Sequence, residues 1–220
     1  MDATRPPSSF FFKGQLLHLF LLAVLLIATF WLVNPKDLGA TARTWFIASI
    51  AIPIVHQVFV WLAWRSELCF AAITKDRFRL YGVVFMVMLV SRPLAVLALA
   101  ISDRGSIGLP VAVRIAAPIL MAIPAIYTFY SIAKYFSFSR AMGIDHFDPA
   151  YRNASLVKDG IFGWTSNAMY VFGFFIFWVI AIAFASRAAL VVAGFSHAYI
   201  WVHYFCTEKP DMNFIYGESK

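Results

Sequence analysis

The sequence AMYVFGFFIFWVIAIAFASRAALVVAGFSHAYIWVHYF, residues 168–205, decides the fold class of this chain. Its one strongly charged residue is Arg187, and the dipeptide Ser186-Arg187 separates two apolar blocks, residues 168–185 and 188–205. A helix needs about 20 residues to cross a hydrocarbon layer of about 30 Å. The pattern therefore predicts a tight helical hairpin in which each arm is barely long enough to span a membrane.

Four further apolar blocks precede this hairpin. They cover residues 16–33, 45–64, 80–101 and about 109–136. Of the 220 residues, 62% are hydrophobic and only 13% are charged, whereas a soluble domain has about 25% charged residues. This composition excludes a soluble enzyme, a disordered chain and a nucleic-acid-binding domain. We predict an all-α, polytopic membrane helix bundle of about six transmembrane helices.

The Lys and Arg residues predict the orientation of the bundle. Most of them lie in the N-terminus, the second and fourth loops and the C-terminus, so we expect both termini and these loops in the cytoplasm. The net charge of +7 is then a feature of topology and requires no nucleic acid. The bacterial inner membrane and the endoplasmic reticulum membrane both remain open, and nothing in the sequence calls for an obligate protein partner.

We predict a single integral membrane domain over residues 1–220. It divides into a four-helix part (14–136), a cytoplasmic connecting segment (137–167) and a C-terminal hairpin with its tail (168–220). Cys69 and Cys206 lack CxxC or CxxH spacing, so neither a disulfide framework nor a metal site is predicted.

Arg92 is the clearest example of an ionisable residue within a predicted membrane span, where burial of a charge costs free energy. It lies near the middle of the third block, and no Asp or Glu lies deep within any of the six blocks. Ionisable groups inside a membrane mark functional sites by default. Two kinds of partner are equally compatible with Arg92. One is a backbone carbonyl that lacks a helical hydrogen bond, and the other is an anionic ligand group, such as a phosphate or carboxylate. His56-Gln57 in the second block is interpreted as a polar pair that bridges helices.

The sixth block carries a polar and aromatic stripe. His197, Trp201, Tyr204 and Glu208 are spaced i, i+4, i+7 and i+11, which puts them on one helix face, whereas His203 falls off that face. Two interpretations stay open. The stripe lines a ligand cavity, or its aromatic residues pack inside the bundle while Glu208 is solvated beyond the helix end.

A glycine-bearing turn precedes the hairpin at DGIFG, residues 159–163, and leads into NAMY, residues 167–170. Free backbone N–H groups at such a junction suit an anionic ligand group. This turn and Glu208 are expected on the same side of the membrane.

The glycine-bearing turn with NAMY and the region around Glu208 resemble motifs of the membrane-embedded methyltransferases. These enzymes include phosphatidylethanolamine N-methyltransferase and isoprenylcysteine carboxyl methyltransferase. VKDGIF (157–162) with SNAMY (166–170) is similar to a Gly-aromatic motif followed by Arg/Asp-Asn/His-Pro-x-Tyr. EKP (208–210) with IYG (215–217) is similar to Glu-Glu-Pro followed by Ile-Tyr. The resemblance covers roughly residues 156–217. Three residues depart from it: Ser166 replaces Arg, Ala168 replaces Pro, and Lys209 replaces the second Glu, for which Asp211 is a candidate substitute.

The resemblance implies S-adenosylmethionine as the cofactor, bound between the two motifs, and an amphipathic acceptor that enters from the bilayer. The candidate cofactor-binding residues are Gly160, Phe162, Asn167, Met169, Tyr170, Trp201, Tyr204, Glu208 and Lys209. The catalytic candidates, which could accept the acceptor's proton, are Glu208, His203 and His146. Arg92 and His197 are the candidate substrate-binding residues.

We therefore predict an S-adenosylmethionine-dependent integral membrane methyltransferase of lipid biosynthesis. The favoured acceptor is the amine of a phosphatidylethanolamine-type head group. Three alternatives stay open: methylation of an isoprenylcysteine-type carboxyl or another small amphipathic acceptor, a sterol-reductase-like enzyme that uses a nicotinamide cofactor, and a non-catalytic lipid-binding membrane protein.

Overall fold

A computed structural model of the chain describes residues 5–73, 77–152 and 157–217, and these ranges contain helices and turns but no strand. The predicted all-α fold is confirmed. Residue 156, where the resemblance begins, and both ends of the predicted domain lie outside the described residues.

Within the described residues, eight α-helices form the bundle. Their bounds are α1 (Gln15–Leu32), α2 (Ala40–Phe70), α3 (Phe78–Ser102), α4 (Val111–Ser131), α5 (Phe138–Ala141), α6 (Phe175–Ala183), α7 (Arg187–His203) and α8 (Lys209–Tyr216). Three π-helical turns adjoin α4, α6 and α7 in the described ranges. They are Ile132–Phe136, Met169–Gly173 and Tyr204–Glu208.

Among the residues that the structure describes, five helical segments are long and apolar enough to cross a membrane. They are Ser8–Asp37, Ala40–Phe70, Phe78–Ser102, Val111–Phe136 and Arg187–Tyr216. The fifth predicted span is shorter than expected. It is helical over Met169–Ala183, which at about 1.5 Å per residue covers only about 22 Å. The helix ends early because Ala185 adopts a left-handed conformation with φ of 49° and turns the chain into α7.

Small residues on α7 allow its neighbours to approach closely. Ala188, Ala189 and Ala193 are buried in a core that α7 shares with α1, α2, α3 and α6. Close packing through small side chains is the usual way in which membrane helices associate. α7 is therefore the central helix on which the C-terminal motif is mounted.

Asp103 fixes the turn between α6 and α7 to the end of α3. Its Oδ2 accepts hydrogen bonds from Ser186 Oγ at 2.6 Å, Ser106 Oγ at 2.8 Å and the backbone N–H of Ala188 at 2.9 Å. Ser186 is also the N-cap of α7, because its Oγ accepts from Ala189 N at 3.0 Å. A carboxylate at a helix N-terminus adds favourable electrostatics.

The N-terminal segment, the connecting segment and α8 meet at the opposite end of the bundle, which we call the terminal end. The rings of Phe10 and Phe214, from the two ends of the chain, lie 5.6 Å apart there. Both described ends of the chain thus lie on one side of the bundle, while the side of the membrane on which they lie stays a prediction.

Candidate active site

A cavity of about 360 Å³ lies between α2, α3, α4, α6 and α7. Its walls are mostly apolar and aromatic. The polar side chains that line it are His56, Gln57, Arg92, Thr128, Tyr170, His203 and Glu208. Among these lining residues, Arg92 and Glu208 are the charged ones, so the cavity has one cationic and one anionic group. Concave, largely apolar sites with a few convergent polar groups are typical of small-molecule binding.

Glu208 and Tyr170 join the two sequence motifs inside this cavity. The Tyr170 hydroxyl donates a hydrogen bond to Glu208 Oε2, across a separation of 38 residues in the chain. Met169, beside Tyr170, lines the same cavity. The structure therefore brings together three of the candidate cofactor-binding residues at one place.

The π-helical turns explain which residues face the cavity. Each of the three turns contributes to the lining, through Ile132, through Met169 with Tyr170 and Gly173, and through Glu208. A π-helix bonds residues five apart instead of four. The turn Tyr204–Glu208 therefore rotates Glu208 away from the expected α-helical stripe and onto the face of His203, which precedes it by five residues.

Trp201 and Tyr204 pack behind Tyr170. Their ring centroids lie 5.9 Å and 5.7 Å from that of Tyr170, and neither is among the lining residues of the described cavity. The stripe thus divides: its aromatic residues pack in the bundle, and Glu208 lines the cavity.

Other candidate residues have structural contacts. His197 Nδ1 accepts a hydrogen bond from Trp178 Nε1 at 3.1 Å. His197 is not among the lining residues of the described cavity. Lys209 is exposed and lies 5.8 Å above the ring of Phe205. Phe162 is buried and stacks on Phe136 at 5.0 Å.

The two remaining candidates of the first motif shape the backbone. Asn167 lies just before the π-helical turn that carries Tyr170, and its carbonyl accepts from Tyr170 N at 2.9 Å. Gly160 has φ of +59° and lies against Ser131 and Tyr135. Its neighbour Ile161 donates its backbone N–H to Ser131 Oγ at 3.2 Å, so this N–H is not available to an anionic ligand.

His146 lies in a buried ionic cluster beside the cavity. Its Nδ1 is 3.1 Å from Asp145 Oδ1, and its Nε2 is 3.5 Å from Asp211 Oδ2. Asp211 also pairs with Arg65 at 2.5 Å, and both side chains are fully buried. His146 and Asp211 thus belong to a cluster that we call the Arg65 cluster (Arg65, Asp145, His146 and Asp211), and neither lines the described cavity.

Trp64 separates the Arg65 cluster from the cavity. It is 5% exposed, stacks on His146 at 4.0 Å and lines the cavity. Its indole N–H donates to Tyr81 Oη at 2.9 Å. This partner satisfies the polar edge of the ring inside the protein, so the side chain has no need of the membrane interface.

The inner part of the cavity contains buried polar atoms without partners. Nε and Nη2 of Arg92, and both ring nitrogens of His56 and of His203, have no hydrogen-bond partner among the described residues. Buried polar groups in proteins are nearly always paired, so these atoms are available to a ligand.

Sequence reasoning missed His56 and Trp64 as lining residues and Arg65 as a buried ion. His56 carried a signal, because it lies at membrane depth. Arg65 had none, because a cation at the end of an apolar block is typical of topology.

The comparisons agree with the motifs. The model of the phospholipid methyltransferase family matches residues 113–219. This matched region, which we call the family region, comprises most of α4, the connecting segment, the hairpin and α8. The predicted resemblance to the integral membrane methyltransferases is confirmed over these residues. The match supports a phospholipid methyltransferase-type function and, with the five long apolar helices, a membrane protein. No curated protein and no solved structure matches the chain.

Proposed function

We propose that this protein transfers a methyl group from S-adenosylmethionine to a lipid-like acceptor, with the amine of a phosphatidylethanolamine-type head group as the acceptor. The observation that carries the proposal is the hydrogen bond from Tyr170 to Glu208 in the wall of a membrane cavity. The two residues come from the two motifs of the family region, so the arrangement depends on both.

The residues at this end of the cavity fit S-adenosylmethionine. Glu208 offers a carboxylate for the ammonium or a ribose hydroxyl, with Tyr170 holding its position. The aromatic faces of Tyr170 and Trp64 suit a sulfonium. When bound, S-adenosylmethionine supplies an electrophilic methyl group. Gly160, Phe162 and Asn167 support this site by shaping the chain around Tyr170, and Lys209 lies on its outer side.

We assign His203 as the residue that accepts the proton from the ammonium group of the methyl acceptor. An ammonium acceptor must lose a proton before its nitrogen can form the new N–C bond as the S–C bond breaks. His203 lines the cavity, and its ring nitrogens have no partner among the described residues, so it can accept that proton. The apolar walls exclude water, which leaves positioning as the main contribution of the protein.

The acceptor is proposed from the family region, and the other interpretations gain no comparable support. A carboxyl acceptor, a nicotinamide-dependent reductase and a non-catalytic lipid-binding protein are each compatible with a membrane cavity, but the family match favours none of them. We expect the protein in the bacterial inner membrane or the endoplasmic reticulum membrane.

The test is incubation of the purified protein with labelled S-adenosylmethionine and phosphatidylethanolamine vesicles, and separately with a total lipid extract. We expect label in the methylated phosphatidylethanolamine. Glu208→Gln removes the negative charge, and we expect at least a tenfold loss of S-adenosylmethionine affinity, about 1.4 kcal/mol, measured by calorimetry.

Glu67→Gln is the matched control. Glu67 Oε2 accepts from Ile73 N at 2.8 Å, a bond that Gln preserves, and Glu67 lies outside the cavity lining. It should leave affinity unchanged. Full affinity in Glu208→Gln would remove Glu208 from the cofactor site, and label in no lipid would overturn the proposed acceptor.

A further inference from the structure

His56 and Arg92 form a polar pair in the cavity wall outside the region that the family match covers. His56 belongs to α2 and Arg92 to α3, whereas the match covers residues 113–219. The two side chains are 2% and 3% exposed and both line the cavity. At about 1.5 Å per residue, Arg92 lies about 15 Å from the end of α3 at Ser102, which is membrane depth.

The surroundings of Arg92 leave its charge incompletely balanced. The guanidinium lies 5.1 Å from the Phe174 ring and 5.6 Å from the Phe177 ring. Ring faces attract a cation, but they leave Nε and Nη2 without acceptors among the described residues. A charge in a membrane interior is costly and is normally paired.

The carboxylate in the cavity lining does not serve as that partner. Glu208 accepts from Tyr170 instead. On the helix that carries both residues, Tyr170 precedes Phe174 by four positions, which is one turn of about 6 Å. The cavity therefore offers a carboxylate at the level of Tyr170 and an unpaired guanidinium about one turn deeper.

We propose that Arg92 and His56 bind an anionic group of the acceptor, a phosphate or a carboxylate, at the inner end of the cavity. The guanidinium donates two N–H bonds to such a group, and His56 donates one from its ring. This assignment rests on the proposed function only in calling the ligand an acceptor. Because Glu208 repels an anion, the acceptor binds with its anionic group toward Arg92 and its nucleophile toward Tyr170 and Glu208.

The experiment uses the full chain in neutral maltoside micelles with three probes: dodecyl phosphate, dodecanoate and dodecanol. The melting temperature is followed against probe concentration. We expect both anionic probes to stabilise the protein at concentrations at least tenfold lower than dodecanol. The stronger of the two anionic probes identifies phosphate or carboxylate as the preferred group.

Arg92→Met removes the charge and should abolish the preference for anionic probes. Arg104→Met is the matched control, because Arg104 is exposed at the far end of α3, outside the cavity lining, and should retain the preference. His56→Phe is a second variant and should weaken it severalfold. An anionic preference that survives in Arg92→Met, or that is absent in the wild-type protein, would overturn the assignment.

Binding of S-adenosylmethionine is measured in the same preparations. A wild-type protein that prefers anionic probes through Arg92 but binds no S-adenosylmethionine contradicts the proposed function alone. A protein that binds S-adenosylmethionine and methylates lipid without that preference contradicts the anion site alone.

Discussion

His146 is buried between two carboxylates at the terminal end of the bundle. Burial by itself lowers the pKa of a histidine, but the hydrogen bonds to Asp145 and Asp211 outweigh it and raise the pKa of His146 to about 9. The stack on Trp64 holds the ring in place. His146 is therefore a charged component of the Arg65 cluster, and this explains why it is a poor proton acceptor at neutral pH.

This raised pKa predicts a pH-dependent stability. Because the pKa in the folded protein exceeds the ordinary value of 6.5, the contribution is fully present below about pH 6.5 and is lost as the pH rises through about 9. It amounts to about 3 kcal/mol at most. The melting temperature of the wild-type protein should fall across this window.

His146→Gln supplies the comparison, because Gln retains hydrogen-bonding groups without titrating in this range. Its melting temperature should be lower than that of the wild-type protein at pH 6 and should change little up to pH 9.5. Parallel profiles for the two proteins would contradict the assignment of the charge to His146.

At the scale of elements, Gly160 determines how the connecting segment approaches α4. Its φ of +59° suits glycine, and a Cβ at this position would lie 2.7 Å from Ser131 Oγ and 2.8 Å from Tyr135 Cε2. We expect Gly160→Ala to destabilise the protein by about 1–3 kcal/mol and to weaken S-adenosylmethionine binding, because the segment leads directly to Tyr170.

Gly108→Ala is the control for this substitution. A Cβ at Gly108 meets nothing within 4 Å, so the melting temperature should stay within a degree or two of the wild-type value. If both variants melt like the wild-type protein, the close approach of Gly160 to α4 is not required for folding.

The π-helical turns mark the limit of what the sequence could predict about the site. An α-helical period puts Glu208 with Trp201 and Tyr204, whereas the structure puts it with His203. No residue type signals a π-helical turn, because the extra residue per turn is stabilised by tertiary contacts. The motifs identified Tyr170 and Glu208, but the α-helical period predicted the wrong neighbours for Glu208.

At the scale of the whole molecule, the Arg65 cluster joins distant parts of the chain. Arg65 of α2 pairs with Asp211 of α8 and donates to the carbonyls of Phe10, Lys13 and Thr207. His146 adds the connecting segment through Asp211. The N-terminal segment, α2, the connecting segment and the tail are thereby held together at one end of the bundle.

Asp211→Asn should destabilise the protein strongly, because it leaves the buried Arg65 without its counter-charge. The expected cost is about 3–5 kcal/mol, seen as a lower melting temperature. The double variant Arg65→Met, Asp211→Leu removes both charges and should melt close to the wild-type protein. A double variant less stable than Asp211→Asn would contradict the view that an unpaired charge causes the loss.

The hydrophobic pattern alone predicts the fold class, because long apolar blocks have few alternatives in a membrane. It could not reveal that Arg65 is buried, since the partner Asp211 lies 146 residues away in the chain. For the same reason, the pattern could not reveal the buried contacts of Trp64, because its partners Tyr81 and His146 come from other segments. Tertiary pairing between distant polar residues is what the sequence does not encode locally.

The short helix of the hairpin has a consequence for the surrounding lipid. Met169–Ala183 covers about 22 Å, less than the hydrocarbon thickness that the neighbouring α3 and α4 can span. Bilayers accommodate such hydrophobic mismatch by thinning locally, at a cost of a fraction of a kcal/mol for each Å. The leaflet beside this helix is therefore compressed. Because the helix forms part of the cavity wall, the thickness of the host membrane affects the cavity directly.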